Sequence, residues 1–215
     1  MGGCSIIPKK ITESGSIGGN FTKTFTAFKA LIYGYEDFPI TEELVNQIPY
    51  ASIRMKIGKG PAGLLILESV TNNIYTWVSA DNIYISTKEG RIVRAEGLPN
   101  NLIDFFSGEP SFTDILSSPD SYADNYRYVS FDNPEVFNMK VKISYKKIGL
   151  EEIIILDNKR KLFLIEETIE NSYIRWSYVN RYWVEQETGF VWQSHQVIAP
   201  NVPPILIQIT KKPSI

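Results

Sequence analysis

Between Phe137 and Tyr145 the chain alternates without a slip. Phe137, Met139, Val141, Ile143 and Tyr145 hold one parity, and Asn138, Lys140, Lys142 and Ser144 hold the other. A period of two places the apolar set on one face and the polar set on the opposite face, which is the pattern of an antiparallel sheet with one dry side. A helix would scatter the same residues around its axis. Related runs recur through most of the chain: Ile53, Met55 and Ile57 alternate with Arg54 and Lys56, and short apolar runs follow at 74–78, 83–85, 91–94, 153–156, 162–165, 173–185, 190–198 and 205–209. Residues 64–70 are apolar enough to be expected buried on both faces.

Turn signals separate these runs: Gly58-Lys59-Gly60-Pro61, Asn72-Asn73, Asp81-Asn82, Glu89-Gly90, Asp157-Asn158-Lys159 and Glu187-Thr188-Gly189. Many strands joined by short turns predict a mainly β fold, an antiparallel barrel-like or strongly curved sheet. One or two short helices are expected near the N-terminus. Phe21, Phe25, Phe28, Leu31 and Ile32 recur at helical spacing behind Asn20, and Thr41 caps a second segment with Glu42 and Glu43 in its first turn. Leu102, Ile103, Phe105 and Phe106 suggest another short helix. Pro110, Pro119, Ser117, Ser118 and Asp120 make the rest of 98–125 read as a long connection.

Composition narrows the function. With 215 residues, of which 43% are hydrophobic, the chain can bury a core without disulfides or a structural metal. A net charge of −2 offers no electrostatic footprint for nucleic acid. Cys4 is the only cysteine and His195 the only histidine, so an internal disulfide is excluded, and metal and histidine-based acid–base chemistry are both weakened. No cofactor is expected.

Gly2-Gly3-Cys4-Ser5 resembles the end of a bacterial lipoprotein signal, where the cysteine becomes the acylated first residue. Pro8, Lys9, Lys10, Ser14, Gly15, Ser16, Gly18 and Gly19 follow, with few large apolar residues. Residues 1–19 are therefore expected to be a flexible tether and 20–215 a single mainly β domain.

Candidate chemistry is sparse. Ser194 and His195 are neighbours on an expected strand and point to opposite faces, so they cannot form a dyad. Gly58-Lys59-Gly60 is followed by Pro61 and a strand, which makes it a turn and not a phosphate loop. Glu166-Glu167 and Glu185 with Glu187 could form a glycosidase pair only if two carboxylates faced one another across a cleft; glutamates on strands beside turns are more often solvated. Asp114, Asp120 and Asp124 lack the spacing of a calcium loop. No catalytic residue and no metal ligand is assigned. Aromatic residues stand out instead, with Tyr173, Trp176, Tyr178, Tyr182, Trp183 and Trp192 crowded into two adjacent expected strands. Trp183 shares its parity with Arg175 and Arg181. A guanidinium beside a ring suits an acidic sugar or a partner's carboxylate, so Arg175, Arg181, Trp183 and Trp192 are the candidate glycan or partner surface, with core packing as the competing account.

Three strings in order resemble one family. They are Ile48-Pro49-Tyr50-Ala51-Ser52 with Arg54 and Gly58; Gly90-Arg91-Ile92-Val93-Arg94 with Gly97-Leu98; and Tyr182-Trp183-Val184-Glu185 through Glu187-Thr188-Gly189-Phe190-Val191-Trp192-Gln193-Ser194. Together they are similar to the YjbF-like, or group 4 capsule polysaccharide, lipoproteins across about residues 21–200. The resemblance implies an outer-membrane lipoprotein at the periplasmic face of a Gram-negative envelope, anchored through Cys4, which serves capsule or exopolysaccharide assembly or export. Its implied partners are polysaccharide-export proteins or the glycan. The family carries no catalytic residue that transfers, so a non-enzymatic accessory factor is expected. A glycosidase-like polysaccharide-modifying enzyme and a lipid or glycolipid carrier are the alternatives.

Overall fold

A computed structural model describes residues 39–118 and 121–214. Cys4, the tether and the expected helix over Phe21–Ile32 lie outside the described residues. Helix α1 (Glu42–Gln47) is capped by Thr41, whose hydroxyl accepts from the Leu44 amide, with Glu42 and Glu43 in the first turn as expected. Twelve strands follow, with one more short helix among them. They are β1 (Ser52–Ile57), β2 (Ala62–Thr71), β3 (Ile74–Ser79), β4 (Tyr84–Lys88), β5 (Arg91–Glu96), β6 (Leu102–Ser107), helix α2 (Phe112–Ser117), β7 (Ser121–Asp132), β8 (Glu135–Ile155), β9 (Asn158–Asn171), β10 (Trp176–Val184), β11 (Val191–Gln196) and β12 (Ile205–Lys211).

All twelve strands belong to one antiparallel sheet ordered β5-β4-β3-β2-β1-β12-β11-β10-β9-β8-β7-β6. Its two edges, β5 and β6, are consecutive in sequence and approach each other, so the sheet rolls into a nearly closed barrel. Rolling removes most of the exposed edge that an open sheet of this width would carry. The chain termini of the barrel meet at the β1–β12 seam. There Ile53 faces Ile209, Met55 faces Ile207 and Ile57 faces Ile205, and all six side chains are buried. On the other face of the seam Arg54 donates to Gln208, which donates to Gln193 of β11. The pleat thus divides apolar inside from polar outside.

Several turns match their sequence signals. Asn72 and Asn73 both take positive φ, as do Glu89 and Gly90, the geometry of two-residue hairpins whose twist matches the strands. The β8–β9 turn falls at Leu156-Asp157, slightly earlier than Asp157-Asn158-Lys159 suggested.

Three local expectations are corrected. Leu102–Ser107 is a strand. It pairs with β7, and a register irregularity between Leu102 and Asp104 breaks the period of two, which is why its apolar residues mimic helical spacing. A helix does form just downstream, where Ser111 and Asp114 make a reciprocal capping box. Strand β2 is buried only in part, for Val70 is 43% exposed near its far end. Phe137 is also exposed, and burial on β8 begins in earnest at Val141, Ile143 and Tyr145.

Candidate functional site

Inward-facing side chains on β5, β7, β8, β9, β10 and β11 are not all apolar. They bring two arginines, two glutamates and two tyrosines to one place inside the barrel. Glu167 on β9 is fully buried and has the parity of Ile165 and Ile169, both core residues. Arg127 on β7 reaches it with Nη2 2.6 Å from Oε1. The same guanidinium forks onto Glu109, with Nη2 2.7 Å from Oε2 and Nε on Oε1. Glu109 is carried by the segment that leads into α2. Arg91 on β5 completes the set. Its Nε lies 3.0 Å from Glu109 Oε2, an ion pair without hydrogen-bond geometry. Its Nη2 donates to the Pro110 carbonyl at 3.1 Å.

Neutral groups add hydrogen bonds to both carboxylates. The Tyr145 hydroxyl bridges the two carboxylates, 2.9 Å from Glu167 Oε1 and in close contact with Glu109 Oε2. Asn180 donates to Glu167 Oε2 at 2.7 Å, and the Tyr182 hydroxyl lies 3.1 Å from the same oxygen. Gln196 ties the cluster to the open edge of the sheet. It accepts from the Ile92 amide and donates to the Gly90 carbonyl and to Ser194. Helix α2 closes one side. Phe112 packs 4.9 Å from the Tyr182 ring, and the Arg91 guanidinium lies 4.0 Å above the Phe112 ring.

The electrostatics follow from this packing. Burial opposes ionisation of Glu167, but Arg127 and Arg91, with the hydrogen bonds from Arg127 and Asn180, outweigh it and hold its carboxyl below the usual range. For the two arginines burial again opposes the charge and is outweighed, at Arg91 by Tyr145 with Glu109 and Glu167 and at Arg127 by Glu167 and Glu109, raising both. Burial, reinforced by Glu167, pushes the Tyr145 and Tyr182 phenols well up. Glu167, Arg91 and Arg127 are therefore held in their charged forms.

Such a cluster is poorly suited to catalysis. A glycosidase pair needs one carboxyl that holds a proton and an open cleft between the two. Here a shared arginine and tyrosine occupy the space between Glu109 and Glu167. A void beside Arg127, Asn180 and Gln196 has a volume of about 20 Å³, which is room for roughly one water. The expectation of solvated glutamates thus fails at Glu167. Ser194 and His195 occupy opposite faces as expected: Ser194 is buried and accepts from Gln196, while His195 is half-buried near Tyr178. Burial, with Arg181 adding to it, lowers the His195 pKa. Asp114 is taken up in the capping box, and no group of three or more potential metal ligands exists among the described residues.

The four candidate surface residues lie apart from this cluster. Arg181 and Trp183 share the outer face of β10. Arg181 pairs with Glu166 at 3.0 Å, and the Trp183 indole donates to Glu151 at 2.8 Å. Arg175 is an exposed turn residue with φ of 51°, before β10 begins, so the pleat does not align it with Trp183. Trp192 is buried, 8% exposed, with the Arg160 guanidinium 3.5 Å above its ring and Phe190 set edge-on at 5.2 Å. Sequence reasoning singled out none of Arg91, Glu109 and Arg127 for the interior; the alternation on β8 did put Tyr145 on the dry face, and the parity of Glu167 with Ile165 and Ile169 was a usable signal.

Residues 25–210 match the model of the group 4 capsule polysaccharide lipoprotein family, GfcB and YjbF. The chain belongs to this family. Among its relatives are two Escherichia coli K12 proteins, the uncharacterized lipoproteins GfcB and YjbF. The first is 21% identical over 185 residues, covering 86% of each chain, and the second 22% identical over 184 residues, covering 84% of each. The crystal structure of the hypothetical lipoprotein YmcC from the same strain superposes with a TM-score of 0.70 at 20% identity, over 95% of this chain and 100% of that one. At that identity the likeness speaks for the fold. Within this capsule lipoprotein family, then, the present member has a barrel filled from inside by neutralised charge.

Proposed function

We propose that the chain is an outer-membrane lipoprotein, held at the periplasmic face through acylated Cys4, that serves capsule or exopolysaccharide assembly or export as a non-enzymatic accessory factor. The observation that carries this reading is the filled lumen. Among the described residues Glu109 and Glu167 are ion-paired inside the barrel with Arg91 and Arg127, which supports contact with glycan or export proteins on the exterior. Arg181 and Trp183 on β10 are the outer-face candidates for that contact, with Arg175 at the adjoining turn. Trp192 is buried, with the Arg160 guanidinium over its ring. Membership of the capsule lipoprotein family supplies the process.

The test is complementation of a strain lacking the protein, with surface polysaccharide and membrane fractionation as readouts. Wild type is expected to fractionate with the outer membrane and restore export. Cys4→Ala is expected to lose both. Full export from Cys4→Ala, or depolymerisation of the polysaccharide by the purified chain, would refute the reading.

A further inference from the structure

One end of the barrel is open where the lumen is not. A cavity of about 340 Å³ lies between the β3–β4 side of the barrel, helix α2 and the β10–β11 loop. Two glycines shape it. Gly90 has φ of 77°, and a Cβ there would meet the Val191 side chain at 2.6 Å from Cγ2. Gly189 has φ of 69°, and a Cβ there would lie 2.6 Å from Thr113 Oγ1. Both positions need glycine for the strand, helix and loop to approach this closely.

The lining contains hydroxyls and a carboxylate, yet most of them are already engaged. Thr87 accepts from the Trp77 indole at 2.9 Å. Ser111 is consumed in the capping box of α2. Thr188 donates to Glu185, and Glu89 pairs with Arg91. A sugar ring would find few free partners for its many hydroxyls, and leaving them unpaired is costly. What remains available is mostly carbon, from Tyr75, Phe112, Phe190, Val191 and Ile209, with the Asn73 amide and the Tyr75 and Thr113 hydroxyls beside it. At the rim stands one cation. Lys212 Nζ lies 4.3 Å from the Phe190 centroid and 3.9 Å from Glu185 Oε2, with its side chain 45% exposed.

We propose that this cavity binds an alkyl chain that carries an anionic head group, in the form of a free amphiphile such as a fatty acid. The chain lies against Tyr75, Phe112 and Phe190, and the head group meets the Lys212 ammonium. The volume suits a small ligand with one polar end. The inference goes beyond the capsule role and does not depend on it.

The probe is dodecanoate below its micelle concentration, followed by tryptophan fluorescence, because Trp77 lines the cavity. The full chain with Cys4→Ser keeps any acyl group of its own out of the measurement. Saturable binding is expected for dodecanoate, and none for glucuronate, which has the charge without the alkyl chain. Lys212→Glu should weaken dodecanoate about fivefold, the scale of a partly exposed ion pair, and strengthen dodecyltrimethylammonium. Phe190→Ala should weaken both amphiphiles about tenfold. Melting temperatures establish that each variant is folded, and Lys212→Glu, at an exposed position, decides the matter if Phe190→Ala is not. The proposal is overturned by absence of saturable dodecanoate binding, by tighter binding of glucuronate, or by a folded Lys212→Glu variant with wild-type affinities.

Discussion

The lumen and the open end of the barrel are built from the same residue types and behave in opposite ways. Both hold arginine or lysine beside glutamate and aromatic rings. In the lumen Arg91 and Arg127 are buried, and among the described residues each lies in an ion pair with a buried carboxylate. At the open end Lys212 and Arg160 lie on the Phe190 and Trp192 rings, and the Lys212 side chain stays half in water. The difference teaches that residue type alone does not mark a site here. Burial decides whether a cation is consumed by the fold or remains free to meet something else. Filling a barrel with ionic groups is not in itself a strong source of stability, since desolvation offsets much of the attraction. Its consequence is specificity: six strands and one helix must be in register before all the charges are paired.

The most direct way to break that contrast is to remove one lumen carboxylate. Glu167→Ala strands Arg127 and Arg91 in the interior with only Glu109 between them, and should destabilise the fold by about 3–5 kcal/mol. Denaturant unfolding measures it. A loss below about 1 kcal/mol would mean that water reaches the cluster and that the lumen is not sealed.

Acid sharpens the same point. The folded pKa of Glu167 is lowered, so its contribution is present in full above the ordinary carboxylate range and is lost as pH falls through the folded value. Unfolding midpoints between neutral and strongly acidic pH should therefore fall for wild type and fall less steeply for Glu167→Gln. Equal slopes would remove Glu167 as the titrating group.

Gly90 links the two regions, since its carbonyl accepts from Gln196 in the lumen and its Cα backs onto Val191 at the open end. Gly90→Ala puts a side chain at positive φ and into Val191. It should cost about 2 kcal/mol, the sum of a backbone term and overpacking, read as a lowered denaturant midpoint. A neutral outcome would show that the open end yields without resistance, which would also undercut a preformed cavity there.

How much of this was legible in the sequence depends on the range of the interaction. The alternation on β8 and the paired-asparagine turn are local, and they predicted strands and a hairpin where the structure has them. The helix at Phe112–Ser117 had a local signal too, Ser111 three residues before Asp114, which the surrounding prolines and serines masked. Strand β6 was misread because its register irregularity imitates helical spacing. The lumen cluster was hidden for a different reason. Glu109, Arg127 and Glu167 are 18 and 40 residues apart along the chain, and only the sheet order brings them together. Glu167 was read as solvated although its parity with Ile165 and Ile169 pointed to the inner face, and no local pattern names its partners. The aromatic crowding of 173–192 was visible; that Trp192 is buried beneath Arg160 whereas Tyr173 is 95% exposed was not, because a register irregularity at Trp183/Val184 and a turn at 172–175 intervene.

The smallest stability effect is expected on the outer face, at Arg181. Its Nε lies 3.0 Å from Glu166 Oε1, across the β9–β10 pair, with the two side chains 44% and 26% exposed. Such a pair gains little over two solvated ions, because water screens the attraction and both side chains lose rotamer freedom, so Arg181→Ala should cost no more than about 1 kcal/mol. Its neighbour behaves differently under the same change. Trp183 is half-buried and its indole donates to Glu151, so Trp183→Ala removes packing as well as a hydrogen bond and should cost more, about 2–3 kcal/mol. That separation makes Arg181 the cleaner probe of function: a variant with a wild-type melting temperature and reduced surface polysaccharide would assign the loss to contact and not to folding. The charge can be tested apart from the shape with Arg181→Lys, which keeps the cation and loses the planar fork. If the outer face works through bidentate recognition of a carboxylate, the lysine variant should be as defective in export as the alanine one. If it works through charge alone, lysine should restore it. Normal export from folded Arg181→Ala and from folded Trp183→Ala would remove this face of β10 from the function altogether.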